Sequence, residues 1–567
     1  MNVPAGYQRL EGSERHPARN ARRLGPADPA EPLSVTIVLR RRLDGPPVPN
    51  FEWYAATPPR DRHRMPIEVF AGKYGASPED IDCVVAFAGS KGLRIVETSA
   101  ARRTVVVSGT VAQMNEAFGV ELGRYQVDVT HGRPATTRTQ TYRGRDGFIY
   151  VPAGLAPLIV GVFGLDNRSI TRRNQPGDPP NTGTTTVPQV TGLYNFPSNS
   201  ATGQTIAILS EGGYATSDIE KYFAALPPGY TMPTITNITV DAGNGSPDIE
   251  TTQDICIAAS AAPGANIAVY FTTETQAGWT DLIGRVIHPN PGDPVCSVLS
   301  SSWYIAGGDD PTGLRDSGVT TGWVNAVDMA LQDAAMQDVT VCVASGDTGA
   351  DSGVGDGKAH VQFPASDPWV LACGGTTIGN ISGQSFEEFV WNDTFVIGDF
   401  SGSGATGGGV SAFFPLPSYQ QSAGVPASLN GGNAGRGVPD VAANASLNSG
   451  YYPIYCENAA SFGYPNPYPG NGTSAAAPLY AGLMAVLSAA LGKPVGFLNP
   501  TLYMLSSSVC RDISPPPGPT NNSLNGVTGY TAGPGWDACT GWGSIDGTAL
   551  LLGLMIDIGS LASIAAQ

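Results

Sequence analysis

The sequence GTSAAAP at residues 472–478 places a small nucleophile, Ser474, at the start of an alanine-rich helix predicted over residues 475–491. A helix N-terminus favours developing negative charge, so this position suits a reacting hydroxyl. The hydroxyl is inert until a base removes its proton, and that base is most often histidine. The chain has only five histidines, at positions 16, 63, 131, 288 and 360. We therefore expect a carboxylate to act in place of imidazole.

A candidate pair of carboxylates lies in the segment DIETTQDICIAASAAPG, where Glu250 and Asp254 are four residues apart. On a helix this spacing puts both acids on one face. Apolar neighbours imply partial burial, and burial next to a like charge raises a carboxyl pKa and lets the pair share a proton. Such a pair can take up the serine proton and return it to a leaving amine. Taken alone, this spacing is more typical of a solvated helix face.

A third acid, Asp347, follows the apolar segment VTVCVAS within the sequence SGDTG. It is predicted either to form a turn or helix cap, or to enter a site at the end of a buried strand. Two histidines lie in the same part of the chain. We expect His360, within KAHVQFPAS, to be structural, and we assign no catalytic role to His288.

Charge is distributed unevenly along the 567 residues, whose formal net charge is −17. Residues 1–180 hold 24 Lys+Arg and 18 Asp+Glu, whereas residues 181–567 hold 7 and 30. A basic first part and an acidic remainder are expected to attract each other. We hypothesise that carboxylate protonation weakens this attraction and so triggers release of the first part by cleavage. The acidic surface argues against nucleic acid as a partner and favours work in acid. The apolar segments 475–491 and 549–556 predict core helices, so no membrane span is expected.

Three regions follow from the hydrophobic pattern. Residues 1–165 predict an α+β domain, ordered from about residue 33, with the succession strand, helix, helix, strand, strand, helix. Residues 166–188 are polar and rich in Pro, Gly and Thr, which predicts a cleavable linker. Residues 189–567 alternate apolar strands with helices, which predicts a doubly wound α/β domain with a mostly parallel sheet. Its site is expected at the carboxyl ends of the strands. The eight cysteines lack metal-binding spacing.

Taken together, the motifs E-x-x-x-D, GD-[ST]-G and GTSA resemble those of the sedolisins, the serine-carboxyl peptidases, in order and spacing. The resemblance extends over nearly the whole chain and is strongest to kumamolisin-type precursors. It includes SAARRTVVVSGTVAQMNEAFGVELG, VPAGLAPLIVGVFGLDNR, GGGVS, GRGVPDVAANA and KPVGFLNPTLY. It implies a subtilisin-like catalytic domain preceded by a ferredoxin-like prodomain, in a secreted zymogen that processes itself.

The resemblance also implies roles for individual residues. Ser474 is expected to be the nucleophile, Glu250 the general base and acid, Asp254 its orienting partner, and Asp347 a protonated donor to the oxyanion. Protein or peptide substrates are expected, with the prodomain acting as intramolecular inhibitor and chaperone. We expect an acid-active endopeptidase that is a monomer.

A structural calcium ion is implied by the same resemblance. Two aspartates and main-chain carbonyls on glycine turns supply the hard oxygen ligands that calcium prefers. One ion is expected on the carboxylates of Asp512 and Asp537 and the main-chain oxygens of Ile513, Gly533 and Gly535.

Two other functions remain open from the residues alone. A neutral peptidase using His360 as its base would gain rate between pH 6 and 8 as the imidazole loses its proton. A binding or structural protein would keep the fold without the chemistry. The chain also departs from the family, since Glu211 before Gly212-Gly213-Tyr214 is displaced from the acid that some members carry and is assigned no catalytic role. Gln362 stands where close relatives often carry an acid, which predicts weaker preference for basic substrate side chains.

Overall fold

The computed structural model describes residues 4–131, 136–173, 185–305, 307–397, 400–462, 465–513 and 518–556. Two folded parts occupy these residues. An N-terminal α+β part, here called the prodomain, ends near residue 165, and the peptidase domain begins at Thr185. Residues 166–173 connect to the prodomain and lie against the peptidase domain.

The prodomain has an antiparallel sheet with helices on one face. Its central sheet runs in the order β4-β5-β3-β9, and the apolar faces of α3 and α4 cover it around Val84, Phe87, Val107 and Met114. This order, with a helix after the first and third strands, is the ferredoxin-like arrangement expected from the sequence. The strands are Tyr7–Arg9 (β1), Arg22–Pro26 (β2), Pro32–Leu39 (β3), Arg94–Ser99 (β4), Thr104–Thr110 (β5), Gly123–His131 (β6), Thr136–Gly144 (β7), Tyr150–Pro152 (β8) and Ile159–Phe163 (β9); the helices are Phe51–Ala56 (α1), Ile67–Tyr74 (α2), Pro78–Ser90 (α3) and Val111–Phe118 (α4).

Order begins at residue 4 rather than near residue 33, which corrects the expectation from the sequence. Strand β1 pairs with β8, and β2 pairs with β6, in both cases antiparallel. These strands are mostly exposed, so they lack the apolar alternation by which a strand is recognised. Their stability comes from backbone pairing with segments 97 to 145 residues away, which local sequence does not reveal.

The peptidase domain is built on a mostly parallel sheet, as predicted. The order is β12-β13-β11-β14-β16-β17-β18, with β23 also parallel to β17 and only β18 antiparallel. The helices are Val187–Leu193 (α5), Thr216–Ala225 (α6), Ile249–Ala261 (α7), Gln276–Ile287 (α8), Pro311–Ser317 (α9), Thr321–Met336 (α10), Thr473–Leu491 (α11), Asn499–Leu505 (α12) and Gly547–Met555 (α13). The linker strand is Thr171–Arg173 (β10), and the domain's strands are Thr205–Ser210 (β11), Ile235–Thr239 (β12), Asn266–Phe271 (β13), Val298–Ser301 (β14), Trp303–Ile305 (β15), Thr340–Ala344 (β16), Leu371–Ser382 (β17), Ser385–Val390 (β18), Asn392–Ile397 (β19), Phe400–Ala405 (β20), Gly409–Val410 (β21), Gly437–Val438 (β22), Val441–Asn444 (β23), Tyr451–Ile454 (β24), Tyr468–Gly470 (β25), Cys510–Arg511 (β26) and Ser544–Ile545 (β27).

Helices cover both faces of this sheet. Helices α7 and α11 pack together on one face, within the apolar core that contains Ile255, Ala476 and Leu483. Helices α8 and α10 cover the other face around Trp279 and Trp323. Helix α11 is long and apolar enough to cross a membrane, but 83% of its most apolar window is buried inside the domain. The interpretation of this segment as a core helix fits that burial.

The prodomain sheet docks on α8 and α10. Thr36 of β3 donates a hydrogen bond to Asp281 of α8 at 2.8 Å, and Arg41 and Arg103 both pair with Asp333 of α10. The basic prodomain therefore meets the acidic domain through direct contacts. All eight cysteines are unpaired as free thiols.

Both ends of the predicted linker are packed rather than loose. Asp166 is buried in an ion pair with Arg15 at 3.0 Å, and the Ile170 side chain is 1% exposed. At the other end, the Thr185 hydroxyl donates to the Ser449 carbonyl oxygen at 2.5 Å. Residues 174–184 of the predicted linker lie outside the described residues.

Candidate active site

Ser474 is the second residue of α11, and the loop before it has a fixed shape. Gly472 has φ +80°, a left-handed conformation that suits glycine. A Cβ atom at this position would lie 2.4 Å from Asp347 Oδ2, so a larger residue cannot be accommodated without displacing that carboxyl. The Ser474 side chain is buried, with 1% of the residue exposed.

Glu250 and Asp254 lie on α7, in the first two turns of the helix. Asp248 caps this helix and accepts a hydrogen bond from the Glu250 amide at 2.8 Å. Both acids are buried, at 4% and 0% exposure. Burial raises the pKa of Glu250 well above its ordinary value, and the nearby Asp254 carboxyl raises it further. Burial likewise raises the pKa of Asp254, so both carboxyls hold a proton more readily than exposed acids do.

The Ser474 hydroxyl faces Glu250 across α7 and α11. It lies close enough to oppose the rise in the Glu250 pKa, yet Ser474 Oγ and Glu250 Oε1 form no hydrogen bond of ordinary length and angle with the described residues. Catalytic hydrogen bonds are often long before substrate binds. The geometry therefore brings nucleophile and carboxyl together without closing the contact.

Ser302 fixes Asp254 from the loop after β14. Its hydroxyl lies 2.7 Å from Asp254 Oδ1 and 3.3 Å from the main-chain oxygen of Ser474. One side chain thus contacts both the helix of the acids and the helix of the nucleophile. The contact links the carboxyl end of β14 to the reacting group.

Asp347 lies beyond the carboxyl end of β16 and faces the start of α11. Its Oδ1 accepts hydrogen bonds from the Thr473 amide at 2.8 Å and the Thr473 hydroxyl at 2.7 Å, while Oδ2 is buried without a partner among the described residues. Burial raises the pKa of Asp347 to about 6. Below that pH the free oxygen carries a proton and can donate a hydrogen bond beside Ser474.

Gln253 holds the nucleophile loop against α7. Its amide Nε2 donates to the Asn471 carbonyl oxygen, and the Asn471 amide donates back to Oε1, both at 3.0 Å. This reciprocal pair fixes the residue just before Gly472. Because Gln253 precedes Asp254 on the same helix, one rigid element positions both the acids and the loop.

The linker strand passes beside this centre. Strand β10 pairs antiparallel with β15, with Thr171 opposite Ile305 and Arg173 opposite Trp303. Trp303 directly follows Ser302, so the strand reaches the residue next to the one that contacts Asp254. An extended chain therefore already occupies one side of the candidate cleft.

The remaining residues singled out from the sequence lie in other environments. His360 is held between Asp310 and Asp356, with both nitrogen–oxygen distances 2.9 Å, which agrees with a structural role. His288 is buried against Phe70 of the prodomain, with ring centroids 4.5 Å apart. The side chain of Gln362 is fully buried near Gly346, the residue before Asp347.

The five predicted calcium ligands follow α11 in the chain and lie around one glycine turn. Asp512 Oδ2 accepts from the Gly535 amide at 2.9 Å, and Asp537 Oδ2 accepts from the Gly533 amide at 3.3 Å. Both carboxyls therefore face the same turn, and Ile513 is buried next to Asp512. Within the described residues no group of three or more His, Cys, Asp or Glu is placed to hold a metal. A site here would depend on two carboxylates completed by main-chain oxygens.

A buried serine opposed by a pair of buried carboxyls, in a doubly wound domain with a preceding α+β domain, defines a serine-type peptidase of the subtilisin-like fold. Comparison with known proteins agrees. Residues 19–168 match the family model "Pro-kumamolisin, activation domain", and residues 242–508 match "Subtilase family".

Similar proteins extend this match to the full chain. Kumamolisin of Bacillus sp. (strain MN-32) is 39% identical over 96% of both chains, and tripeptidyl-peptidase sed5 of Aspergillus fumigatus is 31% identical over 96% of both. The solved structure of Pseudomonas sedolisin, a serine-carboxyl proteinase complexed with two molecules of pseudo-iodotyrostatin, has a TM-score of 0.53 and 27% identity. It covers 65% of this chain, which in turn covers 98% of sedolisin. The chain belongs to the sedolisin family of serine-carboxyl peptidases, with a kumamolisin-type activation prodomain.

Sequence reasoning missed the supporting residues of the site. Ser302 and Gln253 have no motif of their own, since each acts through a contact with residues 48 to 218 positions away in the chain. Thr473 was visible within GTSA, but its two hydrogen bonds to Asp347 depend on the fold. Among these supporting residues, Gln253 alone had a signal in the sequence, because it directly precedes Asp254.

Proposed function

We propose that this peptidase works in acid and cleaves peptide bonds through an acyl-enzyme on Ser474. The observation that supports this best is the buried Glu250–Asp254 pair, which faces the nucleophile where other serine peptidases place imidazole. At pH 3 to 5 histidine is protonated and cannot act as a base, whereas a carboxyl pair that shares a proton still can. The peptidase-domain histidines His288 and His360 have other contacts.

The proposed reaction proceeds in two halves. Glu250 takes the Ser474 proton as Oγ bonds to the substrate carbonyl carbon, and Asp254 shares the added charge. Asp347, protonated below about pH 6, donates to the resulting oxyanion. Glu250 then gives the proton to the amine nitrogen as the C–N bond breaks. Water then attacks the carbonyl carbon of the acyl-enzyme and loses a proton to Glu250. Glu250 returns this proton to Ser474 Oγ as the ester C–O bond breaks and the carboxylic acid product leaves.

The path of the linker supports endopeptidase action. Strand β10 is an internal segment of a longer chain, and it runs along β15 with residues on both sides of it. A cleft that admits an internal strand does not require a free chain end. Release of products other than tripeptides from a long denatured substrate would support this. Tripeptides alone would favour the exopeptidase activity named for the Aspergillus relative.

We also propose that the prodomain assists folding of its own peptidase domain and inhibits that domain's activity until the prodomain is cut off. Support comes from the docked prodomain sheet and from the linker strand beside the site. All four proposed catalytic residues come from one chain, which is compatible with a monomer. Activity in acid suits a protein exported from the neutral cytoplasm.

Calcium is proposed as a structural ion held by Asp512, Asp537 and the main-chain oxygens of Ile513, Gly533 and Gly535. The donor set fits, because carboxylates and carbonyls are hard oxygen ligands. A bound ion stabilises the folded domain by mass action. Chelation should therefore lower the thermal midpoint, and added calcium should restore it. In an Asp512→Asn, Asp537→Asn variant the chelator should have no effect; a chelator effect equal to that on the wild type would contradict this site.

Self-cleavage tests the proposed activity directly. The precursor and its Ser474→Ala variant are incubated at pH 4 and their masses compared over time. We expect the wild type to be cut within residues 174–184 and the variant to stay intact. Faster cleavage at pH 7 to 8 than at pH 4, abolished by His360→Gln, would instead favour the neutral peptidase.

A further inference from the structure

Linker residues 170–173 lie as an extended chain along the candidate cleft. Ile170 donates its amide hydrogen to the Glu274 carbonyl oxygen at 2.9 Å, and its side chain is buried among apolar residues of the peptidase domain. Strand β10 then pairs with β15 as far as Trp303. Each successive residue from 170 to 173 is therefore fixed by the peptidase domain.

Thr171 makes the most specific side-chain contact in this segment. Its hydroxyl lies 2.7 Å from Glu211 Oε1 and 2.8 Å from Glu211 Oε2, and the residue is only 6% exposed. A buried hydroxyl that meets a carboxyl in this way is recognised as a hydroxyl, because an aliphatic group of the same shape leaves the carboxyl unpaired.

Glu211 is supported from behind by the peptidase domain itself. Trp279 Nε1 donates to Oε1 at 2.5 Å, and Trp279 belongs to the core under α8. Glu211 also borders a cavity of 780 Å³ between the two domains, where Asp241 and Glu274 lie as well. Glu211 is therefore half-buried at the edge of this cavity.

The protonation state of Glu211 fits a neutral partner. Burial raises its pKa to about 8, and the charge of Glu274 adds to this effect. In acid the group is therefore an uncharged carboxylic acid, which can both donate and accept a hydrogen bond. A hydroxyl also does both, whereas a lysine or arginine would lose its hydration without gaining an opposite charge.

We propose that Glu211 determines specificity by selecting a serine or threonine side chain at the substrate position that Thr171 occupies in the precursor. This position lies two residues before the one opposite Trp303. The inference rests on the proposed peptidase function and names part of its substrate class. Glu211 acts by holding substrate and takes no part in the proton transfers.

Matched peptides test this selection. The self-processed wild-type enzyme is given the peptide of residues 168–178, RSITRRNQPGD, and its analogue with valine in place of Thr171, which has nearly the same shape. We expect kcat/KM at pH 4 to favour the threonine peptide about tenfold or more. The Glu211→Leu variant should bring this ratio close to one, and Glu211→Gln, which can donate and accept, should restore most of it. Asp241→Asn removes an acid from the same cavity and should keep the wild-type ratio.

A denatured protein substrate separates this inference from the proposed function. Equal cleavage of both peptides by the wild type, or cleavage of the denatured protein but of neither peptide, would overturn the role of Glu211 and leave the peptidase intact. A ratio unchanged in Glu211→Leu would overturn it as well. If Glu211→Leu does not process itself, the wild-type ratio decides alone. Failure of the wild type to cut the denatured protein would instead count against the proposed function.

Discussion

Asp347 presents two carboxyl oxygens with different surroundings. One oxygen accepts both hydrogen bonds of Thr473, and the other points to the space beside Gly472 and Ser474 without a partner. Only the protonated acid can donate from that second oxygen. As the proposed oxyanion donor, Asp347 would therefore act below its pKa, whereas a base acts above its pKa.

We predict that kcat/KM falls as the pH rises through about 6, where Asp347 loses its proton. In Asp347→Asn the amide still donates but does not ionise, so the rate at pH 4 should fall about tenfold while this alkaline limb disappears. Asp347→Ala removes the donor and should cost about 100-fold or more at pH 4, and its difference from the wild type should shrink above about pH 6. Rate profiles of the three proteins between pH 3 and 8 check this. An unchanged alkaline limb in Asp347→Asn would assign that limb to another group.

The proposed reacting residues were singled out from the sequence, but the residues that contact them were not. Ser474, Glu250, Asp254 and Asp347 lie in short motifs whose order is informative. Ser302 is one serine in the run SSSW, and nothing local distinguishes the hydroxyl that meets Asp254. Its role arises only because β14 ends next to α7 and α11.

At the scale of elements, α7 serves as the common support of the site. It carries Glu250 and Asp254 towards Ser474, and through Gln253 it holds Asn471 of the loop before the nucleophile. Helix α11 packs along it within one apolar core. A shift of α7 would therefore move base and nucleophile loop together, which preserves their separation.

Breaking the Gln253 contact should release the loop from the helix. Gln253→Leu leaves the buried Asn471 amide and carbonyl unpaired, which should lower the free energy of unfolding by about 2 kcal/mol. It should also reduce kcat about tenfold or more with little change in KM, because a misplaced nucleophile loses orientation rather than binding. Urea unfolding and steady-state kinetics measure both. Thr252→Val is the matched control, since the Thr252 hydroxyl donates to Asp248 O, at the N-cap of its own helix, at 2.7 Å. Equal losses in both variants would argue against a positioning role.

The sequence predicted most elements through apolar patterns, and it failed where stability is non-local. The helix around Glu250 was expected and lies at Ile249–Ala261. Helix α1 was not, because six residues alone are too short to be stable. It is held by docking of Phe51 and Tyr54 on Trp369 and Phe497 of the other domain. These contacts between the domains stabilise the helix in the precursor.

At the scale of the whole molecule, the contacts between the domains respond to acid in opposite directions. Burial alone would raise the pKa of Asp333, but Arg103 and Arg41 outweigh it and lower that pKa, so this pairing is lost only in strong acid. Burial raises the pKa of Asp281 to about 8, so protonation of this residue favours docking. Carboxylate protonation between pH 7 and 4 is therefore not favoured as the trigger of release.

Protonation of His288 as the pH falls should weaken docking of the prodomain, which is the direction that its release requires. It is buried against Phe70, and burial lowers its pKa although Asp333 opposes this and Arg103 and Arg102 add to it. Docking thus favours the neutral ring above its ordinary pKa near 6.5, and this contribution is lost as the pH falls below that value. The groups that face the ring are Asp333, Arg102 and Arg103.

The contribution of Asp281 to stability depends on pH in the opposite direction to that of His288, and it can be measured on the inactive precursor. Its contribution to stability is fully present below the ordinary pKa near 4 and is lost as the pH rises towards 8. Asp281→Asn does not ionise and still accepts from Thr36. In a Ser474→Ala background it should raise stability at pH 7 by at least about 1 kcal/mol and change it little at pH 4. Thermal unfolding at the two pH values checks this, with the exposed Asp316→Asn as control. An equal effect at both values would contradict the assigned pKa direction.

The central claim is that the carboxyl pair on α7 arms Ser474 without imidazole. Its most direct measurement is the rate of self-cleavage at pH 4, followed by intact mass, in the wild-type precursor and in Glu250→Gln, Asp254→Asn, with His360→Gln as the matched control. We predict at least a 1,000-fold slower cut, or none, in the double variant and a rate near wild type in His360→Gln. Self-cleavage of the double variant at the wild-type rate, while Ser474→Ala stays intact, would show that another group takes the serine proton.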